Sequence, residues 1–308
     1  MHKIFFSSLL LVTLTCSAKE PIVYVGGVAG IASLTEGSAS QKFRVAGGGL
    51  YLHNNGWASL NQAQQQQVLA HFAGHPVGIE LGYGTGHAAQ AWATRCKTGY
   101  LDLGIHPTFI TANAFDGNNL PTVEGWQNYT AALRQQGVPE ATLILPTFEY
   151  ANFGPNIATL SKNMVSQRTD FQAIISLAGG IVLDCPPGFF FSREENYRAW
   201  MLDALRWTHA KGLKCVWITS PHASGVKFGT DTERCLKFFQ SQGIMPDMIA
   251  VENYTANPPP GYVNVVGRED IPATALGVGW DLVNRILPSL KASAPVQKKN
   301  EPKPESSR

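Results

Sequence analysis

This chain has little charge, few cysteines and no long apolar run, and each shortage closes off a class of protein. Only 15% of its 308 residues are charged, and the net charge is +2. So weak a field gives no basis for binding nucleic acid or anionic lipid. The five cysteines include no CxxC pair, which excludes zinc ribbons and thioredoxin-type redox motifs. There is no HExxH or HxH for a zinc hydrolase and no GxSxG nucleophile elbow. Ser220 and His222 sit too close together on one strand end to act as a triad. Gly82-Tyr83-Gly84-Thr85-Gly86 is glycine-rich, but it lacks both the register of a dinucleotide loop and the Lys of a P-loop.

The most apolar stretch, IFFSSLLLVTLT, runs for about 12 residues, too few to span a bilayer. With His2 and Lys3 before it and Cys16-Ser17-Ala18 after it, residues 1–18 read as a signal peptide. A periplasmic or secreted location is expected, with no transmembrane segment. Four cysteines then remain: Cys96, Cys185, Cys215 and Cys235. Cys185 ends one strand and Cys215 starts the next, which puts them at opposite ends of a parallel sheet, too far apart to bridge. Residues 291–308 are rich in Lys, Pro and Ser and read as a disordered tail.

What the chain does have is a rhythm. Short apolar runs end in a functional residue at His53, Glu80, His106, Glu149, Asp184, His222, Glu252 and Trp280, and helical patterns separate most of them. The helices show in their punctuation: a stop at Gly74, a stop at Gly137, and capping-box patterns at Ser192/Glu195 and Thr230/Glu233. Strands alternating with such helices imply a parallel sheet, and eight units favour closure. The expected fold is α/β: a single (β/α)8 TIM barrel over residues 41–290, with 19–40 as a flanking segment. If the apolar stretch 21–30 is itself strand one, every strand number rises by one.

In such a barrel the strand C-termini converge on one face, where chemistry is built. Glu149, Asp184 and Glu252 each close an apolar run, and like charges held close cannot all ionise cheaply. They are the expected catalytic residues. The expected substrate contacts are His53, Asn54, Trp57, Glu80, Tyr83, His106, Trp217, His222, Asn253, Tyr254 and Trp280. The aromatic rings among them, with Tyr150 and Phe153, suit stacking on sugar faces, and the Asn side chains suit hydroxyls. Glu80 and Asp102 are also candidates for buried pairing with Arg44 or His106. Asn128 and Asn253 each begin a glycosylation sequon.

By this strand count Glu149 closes strand 4 and Glu252 strand 7. That arrangement resembles the clan of barrel glycoside hydrolases with acid/base on strand 4 and nucleophile on strand 7. The resemblance implies Glu149 as acid/base, Glu252 as nucleophile, Asp184 tuning or replacing one of them, a carbohydrate or glycan substrate and no cofactor. The clan carries Asn before its acid/base, where this chain has Phe148. The order Glu149, Asp184, His222, Glu252 is also similar to the metal site of the sugar isomerase/epimerase barrels. That resemblance implies Mn2+ or Mg2+ and two Glu residues exchanging protons beside a carbonyl. The family's His three residues after the Asp is Pro187 here. A third reading is a non-catalytic glycan-binding barrel.

Overall fold

Along each strand, alternate side chains go to two separate cores. Val23 and Val25 join the shell beneath the helices, while Tyr24 between them joins a second cluster inside the barrel. A strand covered on both faces reads as an unbroken apolar run, which is why these segments stand out in the sequence. The computed structural model describes residues 20–28, 30–115, 121–149, 165–192, 195–254 and 274–293; at Glu149 it describes the backbone alone. The expected signal peptide and residues 294–308 of the expected tail lie outside these residues; residues 291–293, expected in the tail, instead end the last helix.

Eight parallel strands close in chain order: β1 (Ile22–Gly26), β2 (Gly49–Leu52), β3 (Val77–Gly82), β4 (Phe109–Phe115), β5 (Leu143–Glu149), β6 (Gly180–Asp184), β7 (Lys214–Thr219) and β8 (Met248–Glu252). β8 pairs with β1 from Ile22↔Met248 to Gly26↔Glu252. Helices follow every strand: α1 (Gly37–Val45), α2 (Asn54–Ala58), α3 (Gln62–His71), α4 (His87–Gly99), α5 (Val123–Gln135), α6 (Thr169–Ala178), α7 (Pro187–Ser192), α8 (Glu195–Ala210), α9 (Phe228–Ser241), α10 (Ala275–Asp281) and α11 (Leu287–Ser293). This is a (β/α)8 barrel. No described helix is long and apolar enough to cross a membrane.

The lower lumen is a plug of rings and aliphatics. Tyr24 meets Phe109 edge-on with centroids 5.0 Å apart, and Tyr51 stacks on Phe109 at 6.2 Å. Leu145, Val182, Val216, Met248 and Ala250 fill the rest. The barrel is therefore packed through, and only its C-terminal mouth is left for chemistry.

Three expectations need correction. The stretch at 21–30 does form strand one, so the carboxylates sit one strand later than counted: Glu149 on β5, Asp184 on β6, Glu252 on β8. The run ending at His106 is not a strand. Leu101–Leu103 is one 3-10 turn, closed where Gly104 donates its N–H to the Leu101 carbonyl (2.9 Å), and Tyr100 and Ile105 anchor it in the shell. The true strand, β4, is harder to read because polar Thr111 and Asn113 break its run. The run ending at Trp280 is helix α10, started by Thr274, whose hydroxyl accepts from the Gly277 N–H at 3.1 Å. Its glycines mimic a strand but serve close packing. A Cβ on Gly279 would lie 2.3 Å from Val25 Cγ1.

One local feature also differs. Thr230 and Glu233 do not cap α9, which already starts at Phe228. Glu233 instead pairs with Lys237 and Arg285, each at 2.7 Å, which together hold its carboxyl down at about 2. The four described cysteines are buried and free.

At the barrel bottom Asp247 ties β7 to β8. It accepts from Lys214 Nζ (2.7 Å) and the Cys215 N–H (2.9 Å), and its other contact is His209 Nε2 (3.0 Å). Burial opposes its ionisation, but these partners outweigh it and bring its pKa from 3.8 to about 2. A depressed carboxylate stabilises the fold above its unfolded pKa and loses that contribution as pH falls through the folded one. Asp247→Asn should therefore cost about 2 kcal/mol in urea unfolding at pH 7 and progressively less from pH 4 to 2. A pH-independent cost would refute the assignment. Gly279→Ala should cost about 1–3 kcal/mol by overpacking against Val25, read as a lowered Tm.

Candidate active site at the C-terminal mouth

Above the aromatic plug the lumen turns polar. The lumen-facing positions at the strand ends are Tyr51, Glu80, Thr111, Asn113, Thr147, Asp184 and Glu252, with Glu149 aligned beside Asp184 in the β5–β6 register. None of these positions is Lys or Arg.

Glu80 is the best-defined member. His53 directly follows β2 and caps α2, its Nδ1 accepting the Asn55 N–H at 3.2 Å. An accepting Nδ1 leaves the ring proton on Nε2, which lies 3.2 Å from Glu80 Oε1. Tyr51 donates its hydroxyl to Glu80 Oε2 at 2.7 Å, and Asn113 Nδ2 reaches Oε1 at 3.4 Å. Tyr51 also meets Thr111 Oγ1 at 3.1 Å. Burial pushes the Glu80 carboxyl up, but His53, Tyr51 and Asn113 overcome it and keep it below its ordinary value. Glu80 is thus a fixed anion joining β2, β3 and β4. The Tyr51 hydroxyl is driven far up by burial and by the charges of Glu80 and Glu252, so it stays protonated as a donor.

Glu252 is 4% exposed at the end of β8, and its register partner is Gly26. Beyond it, Asn253 is fully buried and accepts the Val28 N–H at 3.0 Å through Oδ1. Gly27 (φ +151) permits this, because a Cβ there would lie 1.8 Å from that oxygen. Asn253 is therefore a buried brace between β8 and β1 and no exposed sequon; Asn128 is exposed on α5. Asp184 is half-buried. His222 lies in the turn after β7, its ring 5.1 Å from Phe189 of α7. The turn is held tightly: Ala223 adopts φ 62, and a Cβ on Gly188 would come within 2.5 Å of its backbone.

Several expected contacts lie elsewhere. His106 precedes β4 and is exposed at the opposite end of the barrel. Trp57 is 2% exposed, with Nε1 donating to the Gly99 carbonyl at 2.8 Å. Trp217 is 1% exposed, with Nε1 donating to the Cys185 carbonyl at 2.9 Å. Both indoles are packing, not stacking platforms. Trp280 is on α10, packed against the shell. Asp102 pairs with Lys97 at 2.6 Å on the surface, so neither it nor Glu80 meets Arg44 or His106. Tyr83 and the half-exposed Tyr254 do lie just past β3 and β8. Asn54 is buried beside His53, its Oδ1 without a partner among the described residues. Tyr150 and Phe153 lie outside the described residues. Sequence reasoning missed Tyr51, Thr111, Asn113 and Thr147; each sits two residues from a residue already singled out or from another of the set, which is the lumen spacing of a strand.

Oxygen and nitrogen donors of Glu149, Asp184, His222 and Glu252 are of the class that Mn2+ or Mg2+ prefers. Among the described residues, however, no three His, Cys, Asp or Glu side chains converge as a metal site would require.

No protein-family profile matches the chain. No curated protein matches it either. Solved structures similar to it are barrels of low identity. Orotidine 5'-phosphate decarboxylase from Lactobacillus acidophilus is 10% identical, with 86% of this chain and 100% of that one covered and a TM-score of 0.45. KGPDC from Streptococcus mutans is 12% identical over 87% and 99%, with a TM-score of 0.48. A xylose isomerase-like TIM barrel protein from Mycobacterium smegmatis in complex with magnesium is 12% identical over 89% and 98%, with a TM-score of 0.45. None of these three is a glycoside hydrolase. The glycosidase expectation is overturned at its root: it needs carboxylates on strands 4 and 7, and they stand on β5 and β8.

Tyr51→Phe should destabilise the fold by about 1–3 kcal/mol, because it strips a donor from a buried anion. Urea unfolding at pH 7 measures this; a neutral result would show that Glu80 does not depend on Tyr51.

Proposed function

We propose that this chain is an enzyme that moves a proton at a carbon beside a carbonyl in a small polar substrate, the chemistry of sugar isomerase- and epimerase-like barrels. The observation that carries the reading is Glu252, a carboxylate 96% removed from solvent at the lumen end of β8. It lies in the electrostatic field that also includes the fixed Glu80 anion and Tyr51. A base shielded from water and a second carboxyl nearby are what carbon-acid chemistry asks of a site. Glu252 takes the proton from carbon. Glu149 is the second carboxyl, and Asp184 beside it in the register binds substrate hydroxyls together with His222. Glu80 is already saturated by three donors, so it shapes the field and exchanges no proton.

The proton steps named here are carried by the carboxylates themselves. Solvent exchange tests the reading directly. In D2O, with a panel of aldoses, ketoses and 2-oxo acids, NMR should show loss of the C–H signal beside the carbonyl. Glu252→Gln should slow that loss by about 10²–10⁴-fold at unchanged Tm. No exchange with any substrate, or full exchange in the variant, defeats the proposal. Exchange should also survive dialysis against EDTA. Loss there, with recovery on adding Mn2+, would reassign Asp184, His222 and Glu252 as metal ligands.

A further inference from the structure

A cavity opens at the same mouth, off the centre of the barrel. It has a volume of about 630 Å³ and lies between the turn after β3 and the start of α5. Its polar lining is Tyr83, Thr85, Asn113, Thr122, Glu124 and Asn128. Asn113 is the link to the catalytic centre, since its Nδ2 is the amide that reaches Glu80. Its Oδ1 is left as an acceptor for whatever fills the cavity.

The cavity is built, not incidental. Tyr83 is held by a ring cluster beneath it, 5.9 Å from Trp126 and 5.2 Å from Tyr129, and Tyr129 is pinned by its own hydroxyl to the Gly82 carbonyl at 2.9 Å. Yet the buried Tyr83 hydroxyl has no partner among the described residues. A buried hydroxyl left unpaired costs free energy, so a rigidly held one at the edge of a cavity marks a place where a ligand supplies the partner. Gly125 keeps the space open: a Cβ there would lie 2.9 Å from the Tyr83 oxygen and 3.1 Å from Thr122 Oγ1.

We infer that this cavity is a subsite for the uncharged, hydroxyl-bearing end of the substrate. The inference rests on the proposed function only for which end reacts. Its free groups are hydroxyls and amides, which both donate and accept, as a polyol does. Among the described residues the lining has no Lys, Arg or His, and Glu124 with the nearby Glu80 anion repels phosphate or carboxylate. An ammonium gains little, because the Glu80 charge is already satisfied and Glu124 is exposed at the rim.

A matched set of probes tests the charge rule: D-sorbitol, sorbitol 6-phosphate and glucamine, titrated into the full chain by 1H–15N NMR. Sorbitol should bind saturably, and the phosphate and the amine should each bind at least about tenfold more weakly. Gly125→Ala, whose Cβ would press on the Tyr83 oxygen and fill the cavity, should weaken sorbitol by about tenfold or more. Tyr83→Phe keeps the ring cluster and should weaken it several-fold. Glu252→Gln should bind sorbitol like the parent, so a failure of the proposed proton transfer would leave this result standing. Absence of saturable sorbitol binding, tighter binding of either charged probe, or an indifferent Gly125→Ala overturns the inference.

Discussion

Everything at the mouth depends on the closure of β8 onto β1. Once those two strands pair, each strand has one face to the helices and one to the lumen, and its period of two leaves no freedom in which residue goes where. Gly26 opposite Glu252 is the last step of that seam. Asn253 extends it by one residue, accepting the Val28 N–H across the closure. Without the seam, Glu252 would lie at an open sheet edge.

Within the closed lumen the order of layers decides where the polar groups stand. Tyr24, Tyr51 and Phe109 fill the lower part, so water has no path from below. The polar groups stand above the plug, and they are not equivalent. Glu80 has its oxygens occupied by His53, Tyr51 and Asn113, and a carboxylate so held is a stable charge and a poor proton carrier. Glu252, Asp184 and the position of Glu149 form the other side of the mouth. The Glu80 side is the saturated half of the mouth, with the hydrogen-bond capacity of its carboxylate filled. The cavity beside Tyr83 opens on the saturated half, through Asn113.

The errors of sequence reading have a common cause. A strand was sought as an apolar run, so β4 was overlooked because its lumen face carries Thr111 and Asn113, the very residues that serve the site. Conversely, glycine and valine in α10 imitated a strand because that helix needs small residues to approach Val25. Two false strands, ending at His106 and Trp280, were exchanged for two true ones, β1 and β4, which kept the total at eight while β1 displaced the numbering by one. A functional analogy based on strand number failed for that reason alone. The aromatic residues misled differently: Trp57 and Trp217 sit near strand ends in the sequence, but their indole N–H groups are spent on backbone carbonyls in the packed shell.

By itself the amino-acid sequence determined the parallel eight-fold alternation, the helices marked by their caps and stops, and the three carboxylates at strand ends. Those are local properties, set by side-chain periodicity and the chemistry of single residues. Only the tertiary structure decided which strand each carboxylate closes, that Glu80 is held as an anion by its neighbours, and which rings are packing. Those depend on partners far away in the chain: Glu80 meets Tyr51 and Asn113 from adjoining strands, and Glu252 meets Gly26 only because the barrel closes.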